Sequence, residues 1–530
     1  MTMSMKPIRA ICLSICIGAS MSAHGAEPAV SQWAHPGADG KLIYRTTPAG
    51  DRIMDFSFAG YMGGGVAIPD VPVKKTVMPG GPNDDTAAIQ AAIDEVSAMP
   101  LKDGFRGAVL LAPGTFMCSK PINITASGVV LRGSGGEGNS QTTIKLTGNP
   151  HLAISVKAPA APRGRGAAPA AKGEAFESAQ TSIADQYVPS GVSSFKVADA
   201  AGFSVGDWIA IRRPVTDAWI KFMHMDDLVR DEKPQTWIRA GTFTTTERKI
   251  AAISGNTITL DVPLSDSFDA RYLNPPGTAV LKIRPPAELS QVGIESLHIE
   301  SPPQPINHDQ PHFQALRISG QDCWARNLVI DETMNSVGVT GRRVTLSRVA
   351  VNRKIDHTGS SKPAEFAPDG TQILLDRCTV TANNVWFSAT GSGHSGPVVL
   401  LNCTFHGKSA AESHQRWSTG LLYDNCQAPQ GEIEMRNRGS MGSGHGWTMG
   451  WGVIWNCTAK DFIIQNPPGA VNWMIGCIGQ SQSAARPFDK EPKLPEGTID
   501  SMGTPVGPKS LYLTQLEERL GKQGLRNIGY

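Results

Sequence analysis

The chain lacks most of what would staple or anchor a fold. No Cys-x-x-Cys pair occurs in its 530 residues, which removes the commonest zinc and dithiol-redox spacings. No apolar run is long enough to span a bilayer, since the one candidate, Ala10 to Met21, is too short. Aromatic residues make up only 6 %. Charge of one sign is also missing. Lys and Arg total 49 against 47 Asp and Glu, and without residues 1–26 both counts are 47. A neutral chain has no general attraction for nucleic acid or for membrane surfaces, though a local basic cleft remains compatible with it.

What is present begins with an export signature. Lys6 and Arg9 open the chain, Ala10 to Met21 is small or apolar, and Ala23-His24-Gly25-Ala26 offers small residues for cleavage. Ile15 is bulky where a lipoprotein signal wants a small residue before Cys16, so no lipid anchor is expected. The expectation is a secreted or periplasmic protein with a signal peptide over 1–26. Seven cysteines then remain: Cys118, Cys323, Cys378, Cys403, Cys426, Cys457 and Cys477.

One short phrase recurs between residues 320 and 480. Its copies end at Leu328, Val349, Cys378, Cys403, Cys426, Cys457 and Cys477, at spacings of 21, 29, 25, 23, 31 and 20. An irregular period of this size, built from short β-rich runs, predicts a solenoid with one coil per repeat. Five copies end in Cys, three of them with Asn just before it. Cys behaves as a small buried hydrophobe, so these thiols are read as a stacked core column rather than as disulfides.

Around the repeats, other signals divide the chain. Residues 27–156 read as a Gly- and Pro-rich wrap, a capped helix and the first coils. Asp84 or Asp85 is the expected cap of an amphipathic helix with Ile89, Ile93 and Val96 on its apolar stripe. Residues 157–181 are an Ala/Pro/Gly insertion expected to be flexible. Residues 182–285 change to short alternating strands with Gly turns, a small inserted β-subdomain. The main coils occupy 286–480. Residues 481–530 form a loop and a closing helix over Ser510–Gly521, with Leu511, Leu513, Leu516 and Leu520 on one side.

The run Asn83-Asp84-Asp85-Thr86-Ala87-Ala88-Ile89-Gln90-Ala91-Ala92-Ile93-Asp94 resembles the N-terminal capping helix of the pectate-lyase superfamily. Pro113-Gly114-Thr115-Phe116, Pro121-Ile122-Asn123-Ile124 and Gly128-Val129-Val130-Leu131-Arg132-Gly133 resemble its first coils, and the Asn-Cys ladder its later ones. The resemblance covers roughly residues 50–155 and 285–480. It implies an all-β, right-handed parallel β-helix with a capping helix and an inserted β-subdomain. The same fold hosts lyases, hydrolases, isomerases, tailspikes and adhesins, so it does not name the reaction. Polygalacturonase-type hydrolases on this fold carry Asn-Thr-Asp, Asp-Asp, Gly-His-Gly and Arg-Ile-Lys. Here only Gly444-His445-Gly446 stands in the coils, and the Asp pairs lie in the cap helix and at Asp226-Asp227.

The densest polar stretches in the coils are basic: Arg342-Arg343, Arg348, Arg353-Lys354, Asp356-His357, His414-Gln415-Arg416-Trp417, Arg436-Asn437-Arg438 and Ser443 to Trp447. Proton abstraction from a uronic acid needs a cation at the substrate carboxylate and a base at C5. The predicted catalytic set is therefore His414, Arg416, Arg436, Arg438 and His445, with Lys354 and His357 on a neighbouring coil. Arg436 or Arg438 neutralises the carboxylate, and His414, His445 or Lys354 is the base. Trp417, Trp447, Trp451 and Asn437 are the expected substrate contacts. Arg342, Arg343 and Arg348 also suit plain coil turns, and His445 and the tryptophans suit packing. The resemblance implies calcium as a candidate cofactor. Asp356, Glu365, Asp369 and Asp376 are available for it, without a recognisable loop spacing.

The reading is an exported enzyme that cleaves an acidic polysaccharide by β-elimination, with no nucleic-acid partner. One rival is a glycoside hydrolase using Asp356, Asp369 or Glu412. The other is a non-catalytic glycan-binding solenoid.

Overall fold

The computed structural model describes Met1 and residues 28–138, 141–159, 176–284, 288–488 and 493–530. The expected signal peptide, apart from Met1, and most of the expected 157–181 insertion lie outside the described residues. What is described is a right-handed parallel β-helix, with strands of successive coils hydrogen-bonded in parallel register.

The recurring phrase is a corner of the coil. Its penultimate residues, Asn327, Arg348, Arg377, Asn402, Asn425, Asn456 and Gly476, all have φ between 50° and 68°. Asn tolerates that left-handed region better than most residues and Gly does so freely, which explains their recurrence. From Arg377 onward the corner separates two successive strands of a coil, as between Thr371–Asp376 and Thr379–Thr381. The following Cys then points inward. All seven described thiols are buried and unbridged. The inward column Leu346, Leu375, Leu400, Tyr423, Ile454 and Met474 is in register from coil to coil.

Helix Thr86–Ser97 buries Ile89, Ile93 and Val96 against the first coils. Its start is not closed by a simple side-chain cap on Asp85. Asp84 instead accepts from Thr86 N (3.0 Å) and Asp85 from Met117 N (3.0 Å), tying the helix to the coil beneath it. The Thr86 and Ser119 bonds hold the Asp84 carboxyl well below its ordinary range.

The chain leaves the coils after Leu152–Lys157 and re-enters so that this strand pairs directly with Gln314–Gln321. The excursion between them forms a six-stranded antiparallel sheet. Its first strand, Phe176–Ser182, pairs with Ala279–Ile283. The end of the expected flexible insertion is therefore ordered sheet. Trp219, Met223, Met225 and Trp237 of the excursion pack with Leu422, Val453 and Trp455 on the outer face of the coils.

Two expectations at the C-terminus are corrected. Thr498–Asp500 pairs with Trp473–Ile475, so a further coil lies inside the expected loop. Helix Leu511–Asn527 buries Leu511, Tyr512 and Leu516 against Phe56, Leu374 and Leu422. It covers a flank of the coils rather than an end, and Leu520 stays exposed.

Candidate active site

One face of the coil gathers the chemistry. It is the stack Gln314–Gln321, Val337–Val339, Ala364–Pro368, Trp386–Thr390 and Ala410–Ser413, continued by residues 432–435. Alternation sends Ala411, Ile433 and Phe462 into the core. Their neighbours point outward. Ala389, Glu412 and Glu434 are in register on consecutive coils, as are Trp386, Ala410, Glu432 and Asp461.

Just past these strands the chain places His414 and Arg438. Arg438 Nη1 donates to Glu412 Oε1 at 2.8 Å and to the His414 carbonyl at 2.9 Å. His414 Nδ1 meets Glu412 Oε1 in a hydrogen bond, and Arg438 Nη1 lies 2.6 Å from the same nitrogen. The Glu412 and Arg438 side chains are 1 % and 4 % exposed, whereas that of His414 is 24 % exposed. Burial pushes the Glu412 carboxyl up to about 8, with Arg438 opposing. Burial, reinforced by Arg438, pushes His414 down to about 3. At neutral pH these shifts favour a protonated Glu412 against Nδ1 of a neutral imidazole, whose ring lies 5.7 Å from that of Trp386. Loss of one proton from this pair turns Nε2 into a base.

The His445 ring lies 4.8 Å from that of His414, and burial, with Arg438 also opposing its charge, pushes it down to about 3. Gly442 makes room for it, since a Cβ there would stand 2.2 Å from His445 Nε2. Arg416 donates to the carbonyls of Ser443 (3.0 Å) and Gly444 (3.2 Å), so it clamps the Gly-rich loop rather than reaching the cluster. Arg436 pairs with Glu434 at 3.5 Å and donates to the Ala485 carbonyl.

Other expected residues fall elsewhere. Trp417, Trp447 and Trp451 are only 3, 5 and 2 % exposed. Trp447 Nε1 donates to the Met223 carbonyl and Trp417 Nε1 to Asp266, so they seat the inserted segment and do not line the Trp386 groove. Asn437 is buried, and its side chain accepts from Gly439 N to shape the loop. Lys354 is exposed on the loop after Asn352, and His357 is buried with Nε2 against the Ser361 carbonyl. Neither joins the cluster. Arg342 is buried with Glu247 and Glu288, Arg343 pairs with Asp322, and Arg348 is a coil corner.

Sequence reasoning missed the groove itself. A cleft of about 870 Å³ is lined by Trp386, Lys362, Asp356, Glu432, Glu434 and Lys408, among others. Trp386 is half-buried there, with Arg438 5.1 Å and Lys362 4.6 Å from its ring centre. Burial, with Glu434 next to it, pushes Glu432 up to about 7. The available signal was the strict alternation Gly431-Glu432-Ile433-Glu434-Met435, which sends both acids to one side.

The carboxylates considered for calcium do not converge. Asp356 accepts from Asn383, Glu365 from Ser336, Asp369 from Gly391 N, and Asp376 from Arg377, Ser347 and Tyr530. Among the described residues, no group of three or more His, Cys, Asp or Glu is placed to hold a metal ion. These side chains do not fit a calcium site.

Comparison with known proteins gives one family match over part of the chain and several structural similarities. A family model described as rhamnogalacturonase A/epimerase, pectate lyase-like, matches residues 74–183, outside the groove. No curated protein matches the chain. Among solved structures it is similar to the tailspike protein gp49 of Pseudomonas phage LKA1, at 15 % identity and a TM-score of 0.39 over 75 % of this chain. The match spans 64 % of that tailspike. It is also similar to the mannuronan C-5 epimerase AlgE6 A-module of Azotobacter vinelandii, at 10 % identity and TM-score 0.31, over 80 % of this chain and 96 % of that one. A polygalacturonase from Erwinia carotovora ssp. carotovora matches at 11 % identity and TM-score 0.29, over 79 % and 95 %. With its parallel coils and the family-model match over the first of them, the chain resembles the pectate-lyase-like right-handed parallel β-helices.

Proposed function

We propose that this protein is a carbohydrate-active enzyme that cleaves a uronate-containing polysaccharide by β-elimination in the Trp386 groove. The observation that carries the reading is the contact of Arg438 with both Glu412 and His414. It sets a buried cation beside an imidazole whose ring lies 5.7 Å from that of Trp386. In this reading His414 Nε2 takes the C5 proton. The C5–H electrons form the C4–C5 double bond as the C4–O bond breaks. The departing oxygen takes a proton from the Glu432–Glu434 pair. Arg438 supplies positive potential as the substrate carboxylate gains enolate character. Trp386 offers an apolar ring face to a sugar. Export, with residues 1–26 as a cleaved signal, would bring the enzyme to extracellular or periplasmic glycans.

A second reading rests on Glu412 and Glu434. They are in register on consecutive coils, where strands lie about 4.8 Å apart. Two carboxyl groups at such spacing suit a retaining glycosidase. One assay separates the two. The purified chain is incubated with a panel of acidic polysaccharides, and ultraviolet absorbance of 4,5-unsaturated uronate is followed. A rise supports elimination. New reducing ends without absorbance replace it with hydrolysis, and no product from any substrate removes both.

A further inference from the structure

A second cavity, of about 310 Å³, lies between the inserted sheet and the turns that precede the long coil strands. Its walls are aromatic and include Tyr187, Trp219, Phe222, Tyr272, Trp417 and Trp451. Phe222 and Tyr272 stack at its lining with ring centres 3.9 Å apart. Arg213, on the inserted strand Trp208–Pro214, also lines it and is 4 % exposed.

The hydrogen bonds around this cavity are unevenly satisfied. Asp51 accepts from Tyr187 Oη (2.8 Å), Ser190 N (2.8 Å) and Thr47 Oγ1 (3.0 Å). Asp269 is held by the Arg271 fork. Arg213 is different. Its guanidinium packs 3.8 Å from the Trp219 ring centre. The nearest carboxylate, Asp266, is 3.5 Å from Nε and already accepts from Trp417 Nε1. Nε and Nη1 of Arg213 have no hydrogen-bond partner among the described residues. A buried donor left unmade is costly, and a charged one more so.

We propose that this cavity binds a one-ring carboxylate, the class to which a single hexuronate belongs, with its acid group on Arg213 and its ring against the Phe222–Tyr272 stack. Arginine matches a carboxylate through its planar fork. An aromatic wall takes the apolar face of a ring, and the volume suits one ring rather than a chain. Burial holds the Arg213 pKa below its ordinary value, and an arriving anion would raise it again. The site is separate from the groove and does not depend on the reaction proposed there.

The test is calorimetric titration of the whole chain with D-galacturonate, D-glucuronate and benzoate, each against its methyl ester. The expected result is saturable binding of at least one acid, with the ester at least tenfold weaker. Phe222→Ala should weaken binding at least fivefold, Arg213→Gln should abolish it, and Arg438→Gln should leave it unchanged. Should Arg213→Gln not fold, the ester comparison and Phe222→Ala decide the matter. The proposal is overturned if no acid binds, if the esters bind equally, if Phe222→Ala binds as wild type, or if Arg438→Gln removes binding. Activity of the groove is measured separately, so failure of either idea leaves the other readable.

Discussion

Arg438 donates to Glu412 across 2.8 Å, and neither side chain has water to itself. Breaking a buried pair of fixed charges costs about 3–5 kcal/mol. Here the acid has a way out, because Glu412 takes a proton. Arg438→Gln should therefore melt close to wild type at pH 6 and progressively lower as pH rises to 9. Its kcat/KM on the true substrate should fall at least 100-fold at every pH. Thermal melts and initial rates on the same preparations check both statements. Intact activity in this variant would remove Arg438 from the mechanism.

The same pair sets a pH dependence for the reaction. Glu412 titrates near 8 because burial raises it, and His414 is neutral above about 3. The base form of Nε2 appears only after the pair loses its proton. The rate should climb about tenfold per pH unit below 7, pass through a maximum between 7 and 8, and fall above 8 as Glu432, raised to about 7, no longer holds the proton for the leaving oxygen. Glu412→Gln removes the titrating proton of the base, so its residual activity should be flat between pH 5 and 6 and decline above 7 with Glu432. A wild-type kcat/KM profile that falls between pH 5 and 7 would contradict the assignment of the base.

Stability should run the other way. Glu365 and Asp424 are pushed up to about 7 by burial, and Glu412 to about 8. Groups whose folded pKa is raised bind protons more tightly folded than unfolded. Their contribution is complete below the unfolded values near 4 and is lost as pH rises through 7 to 8. Buried His414 and His445, lowered to about 3, act in the opposite sense up to their unfolded value near 6.5, so the melting temperature should fall from about pH 7 to pH 8. Glu365→Gln should flatten that fall, because it keeps the Ser336 hydrogen bond without the ionisation.

The coil was legible in the sequence because its cause is local. Each corner needs a left-handed residue and then a small inward one, so Asn402-Cys403, Asn425-Cys426 and Asn456-Cys457 announce it directly. The groove was legible only in half. His414 and Arg438 stood out as basic residues in polar runs, yet Glu412 completes them from within the run Ala410-Ala411-Glu412-Ser413, and Trp386 comes from the coil before. Which side chains meet across coils depends on loop lengths between corners, and these vary. The tryptophans misled for a related reason. A tryptophan beside a cluster of His and Arg suits a sugar platform, but only the inserted sheet reveals that Trp417 and Trp447 lie beneath it.

The thiol column gives a direct chemical check. All seven cysteines of the described residues are buried without bridging. Burial pushes the Cys118 and Cys323 thiols up to about 12, which makes them poor nucleophiles. A thiol reagent such as DTNB should label none of the seven in the folded chain and all of them after denaturation. Reducing agent should leave the melting temperature unchanged. A shift on reduction would mean disulfides where the coils stack free thiols.

Trp386 and Trp447 should respond to alanine in opposite ways. Trp386 stands half-buried at the groove between Lys362 and Arg438 and makes no hydrogen bond to the inserted sheet. Its loss removes a surface that only a bound sugar uses. Trp386→Ala should raise KM about tenfold with a smaller change in kcat, and melting should move little. Trp447 is buried, and its Nε1 holds the Met223 carbonyl at 2.9 Å. Trp447→Ala should cost about 3–5 kcal/mol through the cavity it leaves, and it should lower the melting temperature clearly. Steady-state kinetics and melting on the pair assign each ring to substrate or to packing. If Trp386→Ala changed stability and not KM, the groove would lose its sugar platform, and the Arg438–Glu412–His414 cluster would have to act on a ligand approaching from another side.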